Sequence, residues 1–323
     1  MMRLFYLLFF LVFNLHHACS WGFLAHRQIN RLAVYCLPPE LFGFFKYQID
    51  FVATHAVNPD KRRYAVEGEA ACHYIDLDRY GPNPLDSIPQ RWTDAAGKFT
   101  QDTLMAHGIV PWAVQRTYYR LVDAFSHRNP SLILRYAADL GHYVGDAHVP
   151  LHTTSNYNGQ KTNQHGIHGL WESRIPEISL ESYLLMPGRC AYVDDPLKEI
   201  WKVVAESHRL LDTVLTFERD LSVQFPEDQK YTYELRGSNA VRVYSAAFAL
   251  AYEQSMEGMV ERRMMESIRV TASLWYSAWL LAGQPNLEPF IGWKPNEVDQ
   301  NQLKSEEESW LHRIFNVPEH NHE

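Results

Sequence analysis

The sequence predicts an all-α protein with a single multi-helix domain from Trp21 to Pro289. Apolar residues recur three and four positions apart along most of the chain, which is the spacing of amphipathic helices. Alternating strand patterns of useful length are hard to find, and neither an internal repeat nor a low-complexity linker divides the chain. Hydrophobic residues make up 46% of the 323 residues, which is enough for one large core.

The first 20 residues predict a signal peptide. Arg3 precedes an apolar run from Leu4 to Phe13, and Ala18 and Ser20 suit the positions three and one before a cleavage site. The run is too short to span a bilayer comfortably. We therefore expect an exported protein, secreted or periplasmic, whose mature chain has no stable membrane span. Lipid attachment at Cys19 is an alternative that the preceding residues fit poorly.

The helices follow in chain order. The first begins after Trp21 and is stopped by Pro38, because proline lacks the N–H that a helix interior needs. A second covers residues 131–146, and a long amphipathic helix runs from Pro196 to about Leu221. Residues 245–283 predict one or two more helices.

Between and after these helices the sequence predicts irregular segments. Glycine, proline and polar residues indicate loops at 79–91, at 153–166 and around Pro226. Residues 290–323 are expected to form a polar, flexible C-terminal tail.

Charge and cysteine content limit the possible functions. The formal net charge is −8 without a long basic run, which argues against tight binding of duplex nucleic acid through its backbone. A nuclease is not excluded, because bound metal ions supply positive charge that the residue count misses. The mature chain keeps Cys36, Cys72 and Cys190. Because three is an odd number, we interpret them as buried small residues with one possible pair.

Histidines and carboxylates are concentrated in two motifs. In "LGHYVGDAHVPLH", His142 and Asp146 lie four residues apart and share a helix face, and His152 follows the helix end. In "HGIHGLWES", His168 and Glu172 repeat the same spacing. Imidazole and carboxylate groups together form a typical zinc ligand set.

Three further candidates come from other segments: His73 in "CHYIDLD", Asp60 in "VNPDKRRY" and His26 in "WGFLAH". A single histidine on an apolar face is more often a hydrogen-bonded core residue than a ligand. His148, which lies off the ligand face, is interpreted in that way. Spacing alone therefore leaves both a metal centre and a set of structural histidines open.

Taken together, these motifs resemble the superfamily that joins bacterial zinc-dependent phospholipase C to the fungal and plant single-strand-specific nucleases. The resemblance runs from Trp21 to Glu172 by motif and more loosely to Gly283. The family begins its mature chain with a tryptophan whose amine binds zinc, which is the position of Trp21. The run from His142 to His152 matches the family's ligand segment, including its Gly-Asp and Pro-Leu-His sequences.

The resemblance implies an exported phosphodiester hydrolase with three zinc ions. The implied ligands of the first zinc are Asp60, His73, His142 and Asp146. Those of the second are His152, His168 and Glu172. Those of the third are Trp21, His26 and Asp146, with Asp146 bridging to the first.

The motifs indicate two different substrates, a phospholipid and a single-stranded nucleic acid. Glu172, the short gap after His152 and the absence of a Gly-Gly-Asn signature favour the phospholipases, which is the preferred interpretation. Tyr74 and Asp76 stand where the nucleases bind a base, and Arg63 stands where they carry an arginine near the phosphate.

The catalytic candidates are accordingly Asp60 and Arg63, and the substrate-binding candidates are Tyr74 and Asp76. Core packing of Tyr74 and a surface salt bridge of Arg63 remain open alternatives. A single-strand-specific nuclease is the second interpretation, and a non-catalytic zinc-binding surface protein is the third. No protein partner can be inferred.

Overall fold

The computed structural model describes residues 22–236, 239–297, 301, 304–306 and 308–310. The predicted signal peptide and Trp21 lie outside these residues. The described chain is mostly helical, which confirms the predicted all-α class. In this part of the chain, none of the helices has both the length and the apolar character needed to cross a bilayer.

The helices and strands have the following bounds. The helices of the first half are α1 (Gly22–Ala33), α2 (Pro39–Tyr47), α3 (Ile49–His55), α4 (Asn58–Arg62), α5 (Pro84–Ser87), α6 (Trp92–Phe99), α7 (Gln101–His107), α8 (Val110–Ser126) and α9 (Pro130–Ala147). Then come α10 (Ile167–Gly169), a π-helical turn (Leu170–Arg174), α11 (Ile175–Ser179), α12 (Pro196–Gln224), α13 (Glu227–Lys230), β1 (Tyr231–Arg236), β2 (Asn239–Tyr244), α14 (Ala246–Ser255) and α15 (Met259–Leu281). Short 3₁₀ turns include Val34–Cys36, Ala70–His73 and Pro150–Thr153.

Helix α9 lies at the centre of the fold and packs against α1, α3, α8 and α15. Trp275 of α15 donates its indole N–H to the carbonyl of Ala137 at 3.0 Å. Asn30 of α1 donates to the carbonyls of Val52 and Ala138, both at 3.0 Å. These buried hydrogen bonds tie α15 and α1 to α9 and α1 to α3, and so fix how the helices are placed.

Two glycines of α9 permit the close approach of α1. A Cβ atom at Gly145 would lie 2.8 Å from the imidazole ring of His26, and one at Gly141 would overlap the side chain of Asn30. Because neither glycine carries a side chain, α1 packs directly against α9. His26 thereby reaches the face of α9 that carries Asp146.

Capping residues account for the starts of α9 and α12. Asn129 accepts a hydrogen bond from the N–H of Leu132 at 3.1 Å and begins α9. Asp195 accepts one from the N–H of Lys198 at 3.0 Å and begins α12. Proline follows each cap, which is favourable because the first helical N–H needs no partner.

The structure refines several predicted boundaries. Helix α12 continues to Gln224, three residues beyond the expected end. Residues 245–283 form two helices, because Glu257 and Gly258 adopt positive φ angles of 52° and 73° between them. The short helix α5 lies inside the predicted loop 79–91.

The antiparallel hairpin of β1 and β2 was not predicted. Tyr231 pairs with Tyr244 at its base. Tyr244 donates to the carbonyl of His165 at 3.1 Å, and Arg174 donates to Glu234 at 3.0 Å. The hairpin is therefore held by residues distant in sequence, which a local pattern does not reveal.

Part of the predicted tail contacts the helical body. Residues 304–306 and 308–310 are helical. The guanidinium of Arg135 forms an ion pair with the carboxylate of Glu306 at 2.5 Å. Trp310 is buried, and its ring lies 5.7 Å from the guanidinium of Arg62.

Candidate metal centre

Helix α9 presents His142 and Asp146 one turn apart, and both side chains are buried. The Nε2 atom of His142 lies 3.2 Å from Oδ2 of Asp146. On the other side of the ring, Nδ1 of His142 lies 2.8 Å from the carbonyl of Ala56. A carbonyl can only accept, so Nδ1 carries a proton and Nε2 is the ring nitrogen that faces the centre.

A first group forms where α4 and the turn Ala70–His73 meet α9. Nδ1 of His73 lies 3.0 Å from Nε2 of His142 and 2.9 Å from Oδ2 of Asp146. Oδ1 of Asp60 lies 3.8 Å from His73 and 3.7 Å from His142. Two ring nitrogens and two carboxylates therefore converge on one small volume.

A second group lies between α1 and α9. Nε2 of His26 is 3.3 Å from Oδ1 of Asp146, and its ring stacks on that of His142 with centroids 4.0 Å apart. The two oxygens of Asp146 thus face different histidines, Oδ1 towards His26 and Oδ2 towards His73. A carboxylate placed in this way is suited to bridge two cations.

The third group joins the turn Pro150–Thr153 to the helix that begins at Ile167. Nε2 of His152 lies 2.9 Å from Glu172 and 3.3 Å from Nε2 of His168, which is itself 2.7 Å from Glu172. Nδ1 of His152 donates to the carbonyl of His73 at 2.5 Å. This hydrogen bond fixes the tautomer of His152 and couples the third group to the first.

Opposite charges dominate the electrostatics of the centre. Burial alone would raise the pKa of Asp146, but the facing histidines His142 and His152 hold it well below its usual range. Burial lowers the pKa of His142, yet the carboxylates of Asp146 and Asp60 raise it to about 9. The carboxylates therefore attract positive charge into the centre, either as protons or as metal ions.

The donor set fits zinc. Each of the three groups brings its ligand atoms together closely enough to hold a metal ion, and all are imidazole nitrogens and carboxylate oxygens. Nε2 of His142 and Nε2 of His152 face other ring nitrogens at 3.0 and 3.3 Å. Each of these close nitrogen pairs can share either a proton or a metal ion, so the positions are open to a cation.

Every predicted ligand except Trp21 falls in one of these groups, and Trp21 lies outside the described residues. His142 takes part in both the first and the second group. The resemblance gave that shared position to Asp146 alone. His148 lies apart from the groups and donates Nδ1–H to the carbonyl of Val144 at 2.7 Å.

The predicted substrate residues share one edge of the centre. Tyr74 is half-buried, and its hydroxyl lies 3.5 Å from the carbonyl of Ala106. Burial raises the pKa of Tyr74 and so does Asp76, whereas Arg63 opposes the rise. Burial and the neighbouring Asp78 raise the pKa of Asp76 to about 6.

Sequence reasoning missed Tyr157, an exposed residue whose ring edge meets His168 with centroids 5.8 Å apart. It borders a cavity of about 840 Å³ between the loop 153–166 and the hairpin. The sequence feature that could have indicated Tyr157 is its position between His152 and His168, two of the predicted ligands.

Arg62 was missed as well, because it stands beside Arg63 in the same motif. Its buried guanidinium donates to Asp139 at 3.1 and 3.0 Å, to Glu69 at 3.1 Å and to Tyr143 at 3.2 Å. These bonds connect α4, the segment before His73 and α9, which carry the ligands of the first group.

Neither a scan against protein-family models nor a search of curated proteins found a match for this chain. The fold and the site therefore define a class: a mostly helical protein with three groups of histidine and carboxylate side chains that could hold metal ions.

Proposed function

We propose that this chain is an exported, zinc-dependent hydrolase of phosphodiester bonds of the phospholipase C type. The observation that supports it best is the position of Asp146, whose two oxygens face separate histidines beside a further group around Glu172. Adjacent sites of this composition suit chemistry on phosphate esters, where several positive charges are needed close together.

The proposed ligands of the first zinc are Asp60, His73, His142 and Asp146; those of the second are His152, His168 and Glu172; those of the third are His26, Asp146 and the amine of Trp21. Zinc bound there would lower the pKa of a water molecule and neutralise the charge that builds on a phosphodiester.

The chain's own residues orient and shield the reacting groups. Hydrogen bonds from His142 to Ala56 and from His152 to His73 hold both imidazoles in one tautomer. Burial excludes bulk water from His73 and Asp146, whereas the side chain of Asp60 is 21% exposed and lies at the mouth. In the proposal, a phosphate group enters on the side of Asp60, where Arg63 supplies positive charge.

A single-strand-specific nuclease is the second candidate. The observation that favours it is the shared edge of Tyr74, Asp76 and Arg63, because a ring, a carboxylate and a cation together suit a base and its phosphate. Glu172 and the loop after His152 favour the phospholipase. We therefore retain the phospholipase as the leading proposal.

The test is turnover of the zinc-loaded protein on two substrates, a phosphocholine ester and single-stranded DNA. We expect measurable hydrolysis of the ester and weaker cleavage of the DNA. DNA cleavage that exceeds ester hydrolysis by orders of magnitude would overturn the leading proposal. Bound zinc without turnover on any phosphodiester would instead support a non-catalytic zinc-binding surface protein.

A further inference from the structure

Two cysteines that lie far apart in sequence meet in the fold. Cys36 ends the 3₁₀ turn after α1 and is buried, whereas Cys190 is half-buried in the segment 184–195, which we call the strap. The N–H of Cys190 donates to the carbonyl of Cys36 at 3.0 Å. This bond makes the two cysteines direct neighbours, and the Cys36 thiol is also close enough to help burial raise the pKa of the Cys190 thiol. A disulfide requires such a neighbourhood, with Cα atoms roughly 4.4–6.8 Å apart.

The strap is held against the body on both sides of Cys190. The N–H groups of Ala191 and Val193 donate to the hydroxyls of Ser273 and Ser277 of α15, at 3.1 and 2.8 Å. The N–H of Leu184 donates to Glu261 at 2.6 Å. Because these bonds fix the strap along α15, Cys190 stays beside Cys36.

Cys72 has separate partners. Its sulfur accepts a hydrogen bond from Arg116 at 3.1 Å and lies 3.5 Å from the carbonyl of Gly68. The three cysteines of the described chain thus divide into one neighbouring pair and one buried thiol, which accounts for their odd number.

We propose that Cys36 and Cys190 form a disulfide when the folded chain meets a thiol oxidant, closing the strap onto the end of α1. The more exposed Cys190 thiolate attacks a sulfur of a small disulfide such as oxidised glutathione, and one glutathione thiolate leaves. The Cys36 thiolate then attacks the Cys190 sulfur and expels the second glutathione. The protein loses two protons and two electrons, and the oxidant becomes two thiols.

The bond would strengthen the anchoring of a ligand-bearing helix. Cys36 follows α1, which presents His26 to Asp146. The disulfide would close a loop of more than 150 residues and so restrict the unfolded chain strongly. It would form in an oxidising compartment, in keeping with the proposed export, but its chemistry is independent of zinc and of turnover.

The experiment maps thiols in the folded chain processed to begin at Trp21, after incubation with oxidised glutathione. Burial raises the pKa of both thiols to about 11, so the incubation is carried out at mildly alkaline pH to supply thiolate. Remaining thiols are alkylated, and the protein is digested without reduction. We expect a cross-linked pair of peptides containing Cys36 and Cys190, lighter than their sum by two hydrogen atoms and separated by reduction.

Matched variants identify the pair. Cys36→Ser and Cys190→Ser should each abolish the cross-linked species, whereas Cys72→Ser should retain it in full. Wild-type protein in which the Cys36 and Cys190 peptides both carry the alkyl label would overturn the proposal. So would a cross-link that joins either of them to Cys72.

Discussion

His142 and His73 bring ring nitrogens within 3.0 Å of each other in the buried centre, and Oδ2 of Asp146 lies within 3.2 Å of both. The opposite nitrogen of His142 is committed to the carbonyl of Ala56. Two ring nitrogens and a carboxylate at these distances could hold a cation. The protein's affinity for zinc should therefore depend on the charge of Asp146.

Asp146→Asn should remove most of the zinc from two of the three groups and nearly all turnover. The substitution keeps the size of the side chain but removes the charge that both groups share. Zinc content after dialysis, measured by atomic spectrometry, checks the first part. His148→Ala is the matched control directly after α9 and should retain zinc, because His148 hydrogen-bonds to the carbonyl of Val144 and not to the ligands. Equal zinc loss in both variants would refute the ligand assignment.

Processing should leave Trp21 as the first residue, with cleavage after Ser20. Since the third zinc is proposed to use the amine of Trp21 beside His26, any added residue displaces a ligand atom. A form that retains a methionine before Trp21 should lose zinc and turnover together, whereas the processed form should keep both. Mass spectrometry of the N-terminus and metal analysis of the same sample provide the measurement. Full activity with methionine retained would contradict the prediction.

Arg62 should contribute to the stability of the fold, whereas its neighbour Arg63 should contribute to turnover. Arg62→Met leaves the buried carboxylates of Asp139 and Glu69 without their cation, which should cost about 3–5 kcal/mol of unfolding free energy. Arg63→Met should change stability by less than about 0.5 kcal/mol, because Arg63 is half-exposed. Turnover should fall in Arg63→Met. Denaturant titration of the metal-free variants separates the two, and equal stability losses would contradict the buried network.

The carboxyl of Asp76 should make stability depend on pH near 6. Burial and Asp78 raise its folded pKa to about 6, above the ordinary value of about 4. The folded state therefore favours the protonated group, whose contribution is complete below about pH 4 and lost as pH rises through 6. Asp76→Asn should raise the Tm of metal-free protein at pH 8 by roughly 2–4 °C and change it little at pH 4. A difference independent of pH would contradict this.

Tyr74→Ala should distinguish the two candidate substrates. If a phosphocholine ester is the substrate, turnover should change only modestly, because no base stacks on the ring. If single-stranded DNA is the substrate, KM should rise about tenfold or more, as expected for one lost stacking contact. Tyr119→Ala, an exposed tyrosine of α8, serves as the control. A collapse of DNA cleavage in Tyr74→Ala alone would identify the nuclease.

The sequence predicted those features that depend on local spacing. His142 and Asp146 share a helix face because four residues make about one turn. Proline and capping residues determine where the long helices begin. The hairpin was not predicted because it is held by partners distant in sequence, such as Arg174 for Glu234. The different environments of Arg62 and Arg63 likewise arise only when α4 meets α9. The shared position of His142 required three segments to converge.

Gly141 and Gly145 carry no ligand atom, yet the centre depends on them as much as on its histidines. A scan of all single substitutions, scored by retained zinc, would mark both positions as intolerant, because any Cβ there displaces Asn30 or His26. In such a scan, two positions without side chains would lose zinc on substitution just as the ligand positions do. Mutational intolerance around this centre therefore measures interhelical distance as well as coordination chemistry.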